Sequence, residues 1–495
     1  MLIMPPRGYG RRIIIFVFST AWLLSSLIHA QTTNKSPASG KRYQRLIVRN
    51  AMIVDGNGTP ASGPKDIVIE GNTISEIVAL DPVALNRGSA KRPFGDVEIE
   101  ATGKYVLPGL INAHAHVQER RSDLAQPLDY ELKLWLTCGI TTVRDVGASL
   151  NATGDGIDVK RILSLRQQSH AAEIAAPRIF IYAVFNSTPR PRNAAQARAR
   201  VQELKQLGVE ETTAWDDIKF GTTSIEHWYG VPDAAIKEKV QNFPSSYNYN
   251  NETDRFRYAG HLWREADPEI LPKVLDGMVA ANVAWVPTMD IYEASRDLQR
   301  AQTQPWFAEY LHPTLQEYFR PNPANHGSYF LGWTSTDEAF WKENYRIWMN
   351  ALREFERRGG VIGVGDDAGF IYQMYGFGLI REMELHQEAG FHPIKVIQHA
   401  TGNNAKILGQ EEKLGRVRAG YLADLIVVNG NPLDNLKTLY PTGIDEIRGG
   451  KVVHTDGVEW AIKDGIPYHG PTLLSEVKAM VAKARSERMS NPSQP

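Results

Sequence analysis

The chain has 495 residues, 42% of them hydrophobic and 22% charged, with a formal net charge of -1. That length leaves room for a large core and more than one folded unit. The near-neutral balance offers no footing for nucleic acid, and a single cysteine, Cys138, excludes an intrachain disulfide. Cys138 lies in an apolar run and reads as a packed side chain rather than a nucleophile.

In chain order, Arg7, Arg11 and Arg12 precede the apolar run Ile13-Ile14-Ile15-Phe16-Val17-Phe18, which continues to Ile28 and reaches Ala30 before a polar stretch. A basic start, an apolar core and a small residue at the end predict a signal peptide over 1–30. Cleavage near Ala30 would place the protein in a periplasm or outside the cell, with no stable membrane span after removal. An uncleaved anchor is the alternative, because the run approaches spanning length. Residues 31–44 read as a linker.

Residues 45–107 alternate short β-type runs with Gly and Asn turns, and the same texture returns over 408–460. Two β-rich blocks flanking a long middle predict one small composite β-sandwich domain. The middle, 108–407, alternates strand-like and helix-like stretches, which predicts a parallel sheet and a TIM-type (β/α) barrel. Its strand candidates are Thr141–Asp145, Arg178–Tyr182, Ser224–His227, Val283–Pro287 and Val361–Gly365. Ala194–Leu207 reads as a helix stopped by Gly208. Residues 461–495 read as a terminal helix and tail.

The first barrel strand runs into Leu107-Pro108-Gly109-Leu110-Ile111-Asn112-Ala113-His114-Ala115-His116. Residues i and i+2 of a strand share a face, so His114 and His116 project together where barrel enzymes place their chemistry. His227 ends another apolar strand, and Asp367 follows a third in Gly365-Asp366-Asp367-Ala368-Gly369. Each has an ordinary reading as a satisfied core histidine or a turn-forming aspartate. Three strand ends carrying ligand-type side chains point together to a metal site. Two stretches around Phe243–Tyr258 and Gln304–Phe340 are too long for plain connections and read as lids or substrate-facing loops. His261 and His326 fall in them; His386, His392 and His399 read as structural.

With these motifs in place, the chain resembles the metal-dependent amidohydrolase superfamily over most of residues 45–455. The subgroup it is similar to is that of imidazolonepropionase and the Xaa-Pro dipeptidases. Besides the His-Ala-His run, Gly139–Asp145 looks like the second strand, Ser224–His227 like the sixth and Gly365–Gly369 like the eighth. The resemblance implies that His114, His116, His227 and Asp367 hold a divalent metal, zinc above all. It implies Asp367 as the proton shuttle, with His227 and Tyr229 facing the substrate. Adjacent residues leaving a strand point apart, so register favours Asp367 over Asp366. The activity implied is hydrolysis of an amide or cyclic amide C–N bond in a small molecule or dipeptide, and a homo-oligomer stays open.

One departure stands out. Residues 183–223 separate the third and sixth strands and should hold two further strands with their helices. A strand-helix-strand unit alone takes roughly 30 residues or more, so the fourth and fifth strand region is incomplete. Lys219 stands where a bridging fourth-strand lysine would, but its phrase reads better as the end of a helix. The alternative function is therefore an impaired or non-catalytic member of the fold, acting as a binding or scaffold protein. A third reading keeps the metal and changes the reaction, to a lactone hydrolysis or a dehydration.

Overall fold

A computed structural model describes residues 35–490, apart from 123, 151, 153–155, 185–190, 208–210, 214–222, 240, 249 and 324. The expected signal segment and Lys219 lie outside the described residues. Among those described, no helix is long and apolar enough to cross a membrane.

The chain begins with β1 (Arg45–Ile53), β2 (Ser62–Glu70), β3 (Thr73–Ala79), β4 (Val97–Glu100) and β5 (Lys104–Pro108). Six strands of the central unit follow: β6 (Leu110–Ala115), β7 (Ile140–Asp145), β8 (Arg178–Val184), β9 (Glu211–Thr213), β10 (Ser224–Glu226) and β11 (Ala284–Val286). The chain then returns through β12 (Leu425–Asn429), β13 (Val458–Lys463) and β14 (Ile466–His469).

Both chain ends build one mixed sheet, in the order β14-β13-β12-β5-β1-β2-β3, with β4 also pairing β1. Its inner face is an apolar core that includes Leu46, Val48, Ile67, Ile69, Leu425, Val427 and Ile462. The sheet is continuous rather than two separate layers. It folds over itself, so that a bridge between Thr73 and Leu422 ties β3 back to the segment entering β12. The sheet also extends past position 460, because β13 and β14 belong to it; the terminal helix starts only at Gly470 and runs to Ser490.

The central unit is a ring of parallel strands. On one side β9, β8, β7 and β6 pair in that order. On the other, β10 pairs with β11, and β11 pairs with the extended segment 361–365 through a Trp285–Ile362 bridge. That segment closes onto β6, where Ala113 N donates to Val364 O (3.0 Å). Every residue of β6 and β7 is buried, as expected of parallel strands covered on both faces. Gly365 is required at this seam. A Cβ there would stand 2.5 Å from the Cβ of His114 and 2.7 Å from its backbone nitrogen.

The seam is braced by Asn404. Its Oδ1 accepts from Val364 N (3.0 Å), while Nδ2 donates to Ile111 O (2.6 Å) and Val364 O (2.8 Å). Opposite the seam, fewer strands are seen among the described residues. The interval that should hold two strands contributes one among the described residues, the three-residue β9, and none of them pairs β9 with β10. Glu211-Thr212-Thr213 has no apolar pattern, so nothing in its composition marked it as a strand.

Candidate metal centre

His114 is the fifth residue of β6, and His116 follows the strand end by one. Their shared face brings the rings to 5.5 Å between centroids. Asp366 and Asp367 leave the segment 361–365, and both backbone nitrogens donate to His114 O, at 3.2 and 3.0 Å. Their side chains then diverge. Asp366 turns away and accepts from Asn112 Nδ2 (2.7 Å). Asp367 takes a left-handed backbone, φ 48°, and its Oδ1 lies 2.9 Å from His116 Nε2 and 3.8 Å from His114 Nε2.

His227 does not sit on a strand, as the sequence suggests, but in the turn just after β10. Its φ of 59° overrides the alternation of faces, so Glu226 and His227 approach the same ring. His227 Nε2 is 3.6 Å from Asp367 Oδ2, and its ring centroid lies 4.7 Å from that of His114. Its Nδ1 is tied to the Thr288 hydroxyl. Tyr229 packs edge-on against His227 at 5.2 Å, and its hydroxyl is 3.0 Å from that of Tyr292. Two non-glycine residues with positive φ at one site are a local strain held by the surrounding packing.

Glu226 was given no role by the sequence, since strand parity turns it away from its neighbour's face. In the structure its Oε2 lies 2.8 Å from His114 Nδ1 and its Oε1 2.5 Å from Arg144 Nη2. Arg144 itself reaches across from β7, 2% exposed, and also donates to Ser224 Oγ (3.2 Å). A carboxylate on Nδ1 fixes the imidazole tautomer and directs the Nε2 lone pair toward the site.

Electrostatics follow from burial and these partners. Burial opposes a charge on Glu226, but Arg144 and His114 outweigh it and hold the carboxyl down at about 2. Burial likewise opposes a charge on Asp367, yet His116, His114 and His227 keep it well below the usual carboxylate range. Burial, then the neighbouring His114, pushes His227 down to about 3, so its ring is neutral. Burial also lowers His116, whereas Glu226 and Asp367 overcome burial at His114 and raise it. Desolvation, with a smaller push from the neighbouring Asp367, lifts Asp366 to about 7.

His114, His116 and Asp367 each offer a ligand atom, all within 4.8 Å of one another. Asp367 Oδ1 is buried and, aside from the imidazole nitrogens it faces, without a hydrogen-bond donor; His116 Nδ1 is buried and unpartnered. Two imidazoles and one carboxylate, with an oriented Nε2 and an orphaned oxygen, fit a divalent cation. His227 faces this trio without joining the mutually close set.

The Amidohydrolase family profile matches residues 348–455. A dihydroorotase of Thermoanaerobacter sp. (strain X514) is 27% identical over 131 residues, which cover 26% of this chain and 27% of that enzyme. The match thus spans about a quarter of the curated relative's length. Two solved structures are similar over nearly their whole length. A Bifidobacterium longum protein provisionally assigned as a prolidase gives a TM-score of 0.55 at 21% identity, covering 90% of this chain and 100% of that one. A Xaa-Pro dipeptidase with bound methionine in its active site gives 0.52 at 21% identity, covering 86% and 100%.

Proposed function

We propose, from the premise that this chain belongs to the amidohydrolase superfamily, that it hydrolyses a C–N bond of a small molecule or dipeptide. The observation that carries this reading is the convergence of His114, His116 and Asp367 on one point, with Glu226 bracing His114 from behind. Those three residues would hold a divalent ion, zinc in view of the neutral imidazole donors. Such an ion supplies Lewis-acid activation of water and of a carbonyl oxygen.

The chain's own groups account for the remaining work. Glu226, kept ionised by Arg144, accepts a hydrogen bond from His114 Nδ1–H and fixes that ring's tautomer. Asp367, the one carboxylate facing all three imidazoles, takes a proton from the attacking water and returns it to the leaving nitrogen. His227 stays neutral, and its Nε2 faces the space beside Asp367, where it contacts the substrate carbonyl. Tyr229 closes the same wall and contacts substrate. Relatives named as a prolidase and a Xaa-Pro dipeptidase support a dipeptide as the substrate class.

The test is turnover of N-acyl amino acids and dipeptides, Xaa-Pro included, by zinc-reconstituted protein alongside His114→Ala. The reading expects turnover in the parent and its loss in a variant that keeps its fold. Equal turnover in the two would refute it. One observation favours a second reading, an impaired member acting as a binding protein: no described strand pairs β9 with β10. Tight zinc binding with no turnover of any substrate would support that alternative. Export is proposed on the N-terminal pattern; N-terminal sequencing of protein recovered outside the cytoplasm would find Gln31 first, whereas an intact Met1 would contradict it.

A further inference from the structure

The loop that carries Asp367 runs through a series of unfavourable backbone conformations. Asp367 (φ 48°), Gly369 (φ 94°), Ile371 (φ 43°) and Tyr372 (φ 67°) all lie in the left-handed region. A β-branched residue such as Ile371 adopts it only under constraint. Such a loop keeps its shape only where its surroundings hold it at several points.

Arg121 meets this loop at Ala368, Phe370 and Tyr375. It follows His116 in the chain, on a two-residue strand, Arg120–Arg121, that pairs with Leu124–Ala125. Its Nη2 donates to the carbonyl of Ala368 (2.9 Å), the residue next to Asp367, and to Tyr375 Oη (3.1 Å) at the loop's far end. The guanidinium carbon lies 3.6 Å from the centroid of the Phe370 ring. That ring in turn meets His116 edge-on at 5.7 Å, so the guanidinium backs an imidazole of the site as well as its carboxylate. Gly369 admits the contact: a Cβ there would stand 2.1 Å from Arg121 Nη2 and 2.5 Å from Tyr375 Oη. Arg121 is wholly buried. Burying a cation is unfavourable, and an apolar side chain of similar volume often holds a core at least as well. What an apolar residue lacks is the planar fork, which stacks by its face while donating from its edge. This loop uses both.

We infer that Arg121 is a positioning residue for the metal site. Its guanidinium holds the loop 367–375 in the shape that turns Asp367 toward His114 and His116, and it fixes the ring packed behind His116. The inference rests on the reading of His116 and Asp367 as metal ligands. Arg121 acts through Ala368 and Phe370, and its geometry rather than its charge carries the effect.

Zinc competition titration of the full-length protein, with hydrogen exchange on its metal-free form, tests this without substrate. Arg121→Met should lower zinc affinity about 10- to 100-fold, the range for partners that stand behind a ligand. In the metal-free protein it should also remove exchange protection from the Gly369 amide, which donates to Gln373 O (2.8 Å). Arg121→Lys keeps the charge without the fork, so it should lose affinity in the same direction, and it carries the test if Arg121→Met does not fold. Arg178→Met removes a cation bonded instead to Asp424 and Asp464, and should leave zinc affinity unchanged whatever it costs in stability. Parent-like affinity or parent-like exchange in an Arg121 variant, or an equal loss of affinity in Arg178→Met, would overturn the inference. Asp367→Asn separates it from the reading beneath it. Zinc binding lost there but intact in the Arg121 variants sinks the inference alone; zinc binding untouched by Asp367→Asn sinks both.

Discussion

The two walls of the barrel differ in how they are held. At the seam between β6 and the segment 361–365, Asn404 stitches both backbones, Asn112 ties Asp366, and Gly365 permits contact closer than any side chain allows. The wall between β9 and β10 has no described backbone ladder. Arg144 crosses the interior toward it, bonded to Ser224 and Glu226. The ligand-bearing histidines and Asp367 are anchored by backbone, whereas the orientation of His114 depends on a side-chain pair. Precision of placement and precision of protonation are thus supplied by different walls.

Arg144→Met should give the largest effect, because it strands the Glu226 carboxylate. Breaking a buried pair on one side costs about 3–5 kcal/mol, and Glu226 should rise from about 2 toward ordinary carboxylate values. Denaturant unfolding and the pH dependence of zinc affinity would read both changes. A loss below ~1 kcal/mol would show that the wall between β9 and β10 does not lean on this residue.

Asn404→Ala attacks the braced wall. It removes three buried hydrogen bonds at once and should cost roughly 3 kcal/mol, at about 1 kcal/mol each. Zinc affinity should fall along with stability, since the strand carrying Asp367 loses its anchor; unfolding and zinc titration check this together. Gly147→Ala is milder. A Cβ there would press on His116 Nδ1, so zinc affinity should drop about tenfold, the low end for a change behind a ligand, with the melting temperature little changed.

The smallest effect sharpens the link from the mixed sheet to the central unit. Lys463 of β13 donates to Ser169 Oγ (2.9 Å) and bonds its carbonyl. Burial, then the neighbouring Arg178, lowers its pKa to about 8. Between that value and the ordinary lysine value of 10.5, the unfolded chain binds more protons than the folded one. Stability therefore rises with pH across that window, and Lys463→Met should flatten this part of the profile.

Strand parity made much of this legible beforehand. The His114–His116 pair and the divergence of Asp366 from Asp367 follow from alternation and register, and apolar runs marked the strands now seen as β7, β8, β10 and β11. Parity also explains what escaped. Glu226 should face away from His227, and it is the left-handed backbone at His227, invisible in composition, that brings both to His114. The contact between His386 Nδ1 and His399 Nδ1 escaped because two separate helical segments must pack before 13 residues of separation become 3.0 Å. The continuation of the mixed sheet through β13 and β14 escaped because its pairing is long-range, with Leu425 opposite Ile462.

Anomalous diffraction at the zinc absorption edge, from crystals grown with zinc, bears on the central assignment most directly. One peak about 2.0–2.2 Å from His114 Nε2, His116 Nε2 and an Asp367 carboxyl oxygen is the result expected. A peak bound elsewhere, or none here at saturating zinc, would contradict it.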